Sequence, residues 1–247
     1  MERFLKEHLQ DLSDRAERQY TYTYSDFLTP EEQSEIAAAR REFAPLTFFG
    51  GTEEAERRLA RFGDEEAFGY DEDFPVACVE IVPKNTKFAE ALSHRDVLGA
   101  LMSLGIERSL LGDICVRGQE AYVFCCDRIA DFLCAELTQI RHTQVKAARC
   151  VTPPEGKLYE TRTDRATVTS LRLDCMTAAF INRSRGVTDG LLAQKKVFLN
   201  GVPTEDGAKQ LKPGDKVSVR GFGKFRFKEE TGTSKKGKHV ILFETYL

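Results

Sequence analysis

The sequence predicts an α+β protein in three parts: a helical N-terminal part over residues 1–72, a βαββαβ domain over 73–158, and a compact basic module over 165–247 ending in a β-hairpin. Three observations predict it. Apolar residues recur at helical spacing near the N-terminus. Strand-like and helix-like runs then alternate between Val76 and Val151 in the order β-α-β-β-α-β. Charge, finally, is uneven along the chain. Residues 1–80 hold 9 Lys and Arg against 20 Asp and Glu, residues 81–160 hold 10 against 10, and residues 161–247 hold 17 against 9. A cationic end on a chain of net charge −3 points to a polyanion as the partner of the last third.

In the N-terminal part, Leu5, Leu9, Leu12, Ala16 and Tyr20 share one helical face. Thr29-Pro30-Glu31-Glu32 reads as a helix start, with Thr29 as N-cap, Pro30 at the first helical position and Glu32 closing a capping box. Phe48-Phe49-Gly50-Gly51 reads as a short strand or turn. Thr52, Glu53 and Glu54 then predict the start of another helix, stopped by Gly63. Gly50-Gly51 is a backbone turn rather than a phosphate loop, because no Lys-Ser/Thr follows at the required spacing. The acidic stretch from Asp64 to Asp73 marks a domain boundary.

In the middle part, Val76–Val82 predicts a strand, Lys87–Leu104 a helix, Ile114–Val116 and Ala121–Cys125 a hairpin around Gly118, Asp127–Leu137 a helix capped by Asp127, and Gln144–Val151 a last strand. This is the order of ferredoxin-like and RNA-recognition domains. Tyr122 and Phe124 lie two apart and so share one sheet face. Core packing is their expected role, with base stacking the alternative, since no aromatic RNA-reading block accompanies them. His94-Arg95-Asp96 is not a kinase catalytic loop, because Leu101 stands where that loop needs Asn. His94, Arg95 and Arg108 remain candidates for a second RNA surface.

In the last part, Leu171 to Asn182 and Val187 to Leu192 predict two short helices interrupted by Arg183-Ser184-Arg185-Gly186. Val197–Val202 is a strand turned by Asn200-Gly201, Pro213-Gly214-Asp215 is another turn, and Val217 and Val219 alternate as a second strand. Phe222–Lys228 and Lys238–Thr245 predict a terminal hairpin with a loop over 229–237. Phe225 and Phe227 alternate there with Lys224, Arg226 and Lys228, which gives one apolar and one basic face.

These blocks, from Leu171-Arg172-Leu173-Asp174 through Lys195-Lys196 and Asn200-Gly201 to Lys212-Pro213-Gly214-Asp215 and Arg220, resemble the S4 (αL-like) RNA-binding domain. The resemblance implies a basic face for structured RNA, carried by Arg172, Arg183, Ser184, Arg185, Lys195, Lys196, Asn200, Gly201, Lys212, Lys216, Arg220, Lys224 and Arg226. Phosphate neutralisation by such groups releases counterions and makes affinity fall with salt. Asp174 is expected to pair with Arg172 or an adjacent helix rather than to touch RNA.

A second resemblance covers nearly the whole chain. Phe27-Leu28-Thr29-Pro30-Glu31-Glu32-Gln33, Phe49-Gly50-Gly51 with Ala55-Glu56-Arg57-Arg58, His94-Arg95-Asp96-Val97-Leu98-Gly99, Leu104-Gly105-Ile106-Glu107-Arg108 and Gly112-Asp113-Ile114 are similar to the YlmH family of bacteria. Membership implies a cytoplasmic protein that binds the large ribosomal subunit; with the basic module, the expected RNA partners are ribosomal RNA there or a tRNA. It also implies a role in ribosome-associated quality control and a link to cell division through gene neighbourhood. Thr52 stands where the family usually has an aromatic, and Glu31 replaces a common Arg.

Function classes narrow accordingly. Hydrophobic content of 41% and charged content of 30% describe a soluble globular chain. No apolar run reaches the roughly 18–20 residues that span a bilayer, and Met1-Glu2-Arg3-Phe4 lacks a secretion signal's apolar core. Seven cysteines without a CxxC pair read as reduced, buried hydrophobes in a cytosolic protein rather than metal ligands. No cofactor or metal is expected, and the free protein is expected to be a monomer. The rival class is an S4-bearing pseudouridine synthase, whose Arg-Leu-Asp would have to lie outside the S4 part. Here the only such triplet is Arg172-Leu173-Asp174. A third reading is a protein-interaction adaptor using the acidic half.

Overall fold

A computed structural model describes residues 3–150, 159 and 161–246. Residues 1–158 and 159–247 form two compact units, together a mixed α/β fold. The predicted strand end at Val151 and domain end at 158 lie outside the described residues.

The first unit opens with α1 (Arg3–Gln19), β1 (Thr23–Tyr24), α2 (Pro30–Ala38), β2 (Leu46–Phe49), β3 (Leu59–Phe62) and α3 (Glu65–Phe68). Leu9, Leu12 and Ala16 bury the inner face of α1 against Ile36, Leu46, Ala60 and Phe62. Tyr20 is not on that face. It follows the helix with φ 50° and stays 67% exposed, because the left-handed turn swings it outward. The start of α2 is as expected: Thr29 caps it, Pro30 leads it, and the Glu32 carboxylate accepts from the Thr29 amide at 2.6 Å.

The helix expected from Thr52 to Gly63 is absent. Leu59–Phe62 is instead the central strand of a three-stranded antiparallel sheet in the order β1-β3-β2. The acidic-basic run Glu53–Arg58 has helical propensity, but Leu59, Ala60 and Phe62 are fully buried between two strands, and packing overrides propensity. The N-terminal part is therefore mixed rather than helical.

The chain continues with β4 (Val76–Pro83), α4 (His94–Ser103), β5 (Leu111–Arg117), β6 (Glu120–Cys126), α5 (Asp127–Glu136), β7 (Gln139–Ile140) and β8 (Thr143–Arg149). The strand order is β5-β6-β4-β8-β7, all antiparallel, with the first strand of the βαββαβ run at the centre. One sheet face, with Ala77, Val79, Ile81, Ala121, Val123 and Cys125, packs on Val97 and Leu101 of α4 and Ala130 and Leu133 of α5. Two boundaries differ from expectation. Lys87–Leu92 is not helical beyond one tight turn, and α4 begins after Ser93, which forms a capping box with Asp96. Asp127 is the first residue of α5 rather than its cap, and its carboxylate goes to Arg149 at 2.6 Å.

The second unit comprises β9 (Thr161–Val168), α6 (Leu173–Phe180), α7 (Arg185–Ala193), β10 (Val197–Leu199), β11 (Val202–Pro203), β12 (Lys216–Val219), β13 (Gly223–Thr233) and β14 (His239–Tyr246). Its six-stranded sheet has the order β11-β10-β12-β13-β14-β9. One face packs on α6 and α7 through Val217, Val219, Phe225, Phe227, Ile241 and Phe243. The Phe180 ring sits 5.4 Å from Phe225 and 4.7 Å from Phe243. β13 runs on to Thr233 through two register shifts, so most of the loop expected over 229–237 is strand, and the turn is confined to Ser234–Lys238. β9 has no hydrophobic alternation that a sequence reading would find, since Arg162 and Asp164 stand on the same strand face as the core residues Ala166 and Val168.

Candidate nucleic-acid interface

The candidate RNA-binding cations of the second unit fall at three places. The first is the entry to α6. Arg172 takes the N-cap position, and its guanidinium meets the Asp174 carboxylate at 2.9 Å. Arg185, from the first turn of α7, meets the same carboxylate at 2.5 Å. Asp174 also accepts from the Cys175 amide and is 2% exposed. Burial pushes its carboxyl pKa up, but hydrogen bonds from Arg172, Arg185 and Cys175 outweigh burial and hold it below the ordinary carboxylate value. Arg172 and Arg185 therefore tie the two helices together, with side chains 40% and 55% exposed.

The second place is one edge of the module. Asn182 ends α6 in a left-handed conformation, φ 51°, and turns the chain so that Arg183 and Ser184 are exposed. The Arg183 guanidinium lies 5.9 Å from the centre of the Phe222 ring. Phe222 sits with Arg220 and Gly221 in the three-residue turn that joins β12 to β13. Arg220 in turn lies 5.0 Å from the Phe198 ring, and its amide donates to the Lys196 carbonyl. Lys196, Arg220 and Arg183 thus follow one edge, interleaved with two aromatic rings. Lys195 points to Glu205 at 3.7 Å, an exposed pair.

The third place is the sheet face opposite the helices. Lys216 pairs directly with Arg226, and Ser218 with Lys224, so these side chains share that face. The Lys224 ammonium lies 4.7 Å from the Tyr246 ring centre and 5.6 Å from that of Tyr159. Buried Glu244 lies opposite Arg226 and also faces Lys228 at 3.5 Å, so part of this face is neutralised. Asn200 and Gly201, φ 51° and 84°, form a two-residue turn between β10 and β11. The Asn200 side chain holds that turn to the next one, donating to Asp215 at 2.9 Å and accepting from the Lys216 amide at 2.8 Å. Lys212 is exposed beside it, its amide bonded to Asp215.

The second surface considered from the sequence divides. His94 and Arg95 are exposed in the first turn of α4. Arg108 is turned inward, donating to the Leu111 carbonyl at 2.6 Å and the Gly112 carbonyl at 3.2 Å. Burial, with Arg57 beside it, pulls its pKa down to about 10. Arg57 is likewise structural, bonding the carbonyls of Leu111 and Phe27, while Asp113 accepts from the Glu56 and Arg57 amides. Burial also lowers the Arg57 pKa. These motif residues fasten the N-terminal sheet to β5.

Tyr122 and Phe124 occupy the sheet face away from α4 and α5, the face on which RNA-recognition domains stack bases. It is closed here. Phe124 is 1% exposed, and the Gly50-Gly51 turn lies so close that any side chain at Gly51 would overlap its ring. Tyr122 is 7% exposed and donates to Glu80 at 3.0 Å. Core packing is their role, Phe124 against the chain's own N-terminal turn and Tyr122 beside Glu80 and Arg117.

Sequence reasoning misses Phe222 and Phe198 as partners of the arginines. The signal is present in Arg220-Gly221-Phe222-Gly223, where two glycines with φ 85° and 124° allow a tight turn to display an aromatic. Among the described residues no cluster of His, Cys, Asp and Glu could hold a metal ion, and no helix is long and apolar enough to cross a membrane.

Residues 70–152 match a family model described as "Putative RNA-binding domain in YlmH". The "Ribosome-associated protein quality control protein P2" of Bacillus subtilis (strain 168) is 32% identical over 236 residues, which cover 92% of this chain and 89% of that relative. Among solved structures, the "Cell division protein ylmH from Streptococcus pneumoniae" aligns over 60% of this chain and 90% of its own, with TM-score 0.50 and 17% identity, a likeness of fold. With a relative this similar along nearly its whole length, the chain belongs to the YlmH family.

Proposed function

We propose that the protein binds structured ribosomal RNA of the large subunit, with tRNA as a second RNA partner, in the quality control of stalled nascent chains. The observation that carries this reading is the edge formed by Lys196, Arg220 and Arg183, backed by the Lys216–Arg226 sheet face, on a unit read as an S4 module. Cations interleaved with aromatic rings suit a phosphate backbone and the bases beside it. The name of the Bacillus relative supports the ribosome as the place of action and the cytoplasm as the compartment. In this reading the three sequence-defined parts act as one RNA-binding adaptor, monomeric when free.

The reading is non-catalytic. An aspartate acting on a uridine must reach its substrate, whereas the Asp174 side chain is 3% exposed and held by two arginines. Incubation with tRNA and ribosomal RNA, followed by mass analysis of the nucleosides, is expected to yield no new modification. A new modified nucleoside would make the protein an enzyme.

Docking is tested by charge reversal at exposed cations that hold no structural carboxylate. Arg183→Glu/Arg220→Glu should lose co-sedimentation with the large subunit on a sucrose gradient. In direct RNA titrations the log–log salt slope should fall by about 2, roughly one for each phosphate that is no longer neutralised. Unchanged sedimentation would remove this edge from the interface. Arg185→Glu is a poor probe, because it would set a second carboxylate against Asp174.

A further inference from the structure

We propose that the turn Arg220-Gly221-Phe222 is a base-stacking wedge, so that the RNA this protein prefers presents an unpaired nucleotide beside a duplex. The proposal rests on the RNA-binding reading above and specifies what the bound RNA must offer. Phe222 is 40% exposed at the tip of a three-residue turn, where burial would be worth more than solvent contact. The turn is fixed rather than loose. Val219 pairs with Gly223, the Phe222 amide donates to the Val219 carbonyl at 3.0 Å, and the Arg220 amide donates to Lys196 at 2.9 Å. The glycines on either side take up the positive φ angles, which leaves the Phe222 ring to project.

Its surroundings select the ligand. Arg183 lies beside the ring, and Arg220, in the same turn, lies over the Phe198 ring. An exposed aromatic alone would suit any apolar partner. One with a guanidinium beside its ring and a second arginine in the same turn suits a flat, electron-rich ring attached to phosphate, which is a nucleotide. A continuous A-form duplex offers no free base face, since its bases are stacked and its major groove is narrow. A bulged or looped nucleotide offers that face, with flanking phosphates for Arg183 and Arg220.

The test uses the full-length protein and two RNA hairpins, one fully paired and one with a single bulged 2-aminopurine. The wild type should bind the bulged hairpin about tenfold more tightly than the paired one, as one base–aromatic stack implies. Its 2-aminopurine fluorescence should be quenched on binding. Phe222→Ala should bind both hairpins alike, without quenching and with an unchanged salt slope. Phe222→Trp should restore preference and quenching. Retention of both by Phe222→Ala would overturn the wedge. Equal, salt-sensitive binding of both hairpins by the wild type would overturn it too, while leaving the RNA-binding reading intact. Failure to bind either hairpin at low salt would count against both.

Discussion

Alanine in place of Gly51 is expected to destabilise the first unit by about 3 kcal/mol, the sum of a left-handed backbone penalty and an overpacked contact. Gly51 has φ 96°, and a Cβ there would overlap the ring of Phe124, itself fully buried. Neither partner can yield easily. The neighbouring Gly50 abuts the Arg57 carbonyl, and a Cβ on Gly112 would stand 2.6 Å from the Phe27 ring, so the backbone is tightly packed on both sides of Phe124. In a thermal melt the midpoint should fall by roughly 6–12 °C. Gly69→Ala is the matched comparison. Its φ is 78°, yet nothing lies within 4 Å of an added Cβ, so only the backbone penalty of about 1 kcal/mol should appear. If the two variants melt alike, the turn does not close the face of the sheet at Phe124.

The second large effect should come from Asp174→Asn, with a loss of about 2 kcal/mol in the second unit. A fully buried pair broken on one side costs about 3–5 kcal/mol, but Arg172 and Arg185 are part-exposed and water would take up some of their charge. The variant should shift the midpoint of this unit by roughly 8–16 °C. Acid should produce the same loss in the wild type. The folded carboxyl titrates below its unfolded value, so at neutral pH the stabilisation is complete. Below pH about 4 the unfolded chain takes up the proton first. Stability then falls until the folded carboxyl is also protonated. Asp174→Asn should flatten this acid limb in denaturation curves recorded across pH. A limb of unchanged steepness would mean that Asp174 is not the group responsible.

The sequence is most informative where local rules decide the structure. Thr29 and Glu32 close their capping box, Asn200-Gly201 makes its two-residue turn, and the alternation of Val217, Val219, Phe225 and Phe227 places the inner sheet face. It fails where distant groups decide. Glu53–Arg58 looks helical until Asp113, more than fifty residues away, captures its backbone amides. The face chosen by Tyr122 and Phe124 is equally hidden, since a period of two gives the pairing of side chains but not what covers them. For the candidate site, the cationic residue types are visible in the sequence. Their division is not: Arg172 and Arg185 serve Asp174, whereas Arg183 and Arg220 remain on the rim beside aromatic rings.

The fastening of Arg57 to the carbonyls of Phe27 and Leu111 has a thermodynamic side. Local opening of the first seventy residues would strip hydrogen-bond partners from a strand of the neighbouring sheet and wet the phenyl ring beneath. Fraying there cannot stay local. The whole first unit should behave as one cooperative body, with no cheap partially open form in which the aromatic platform is bared to nucleic acid.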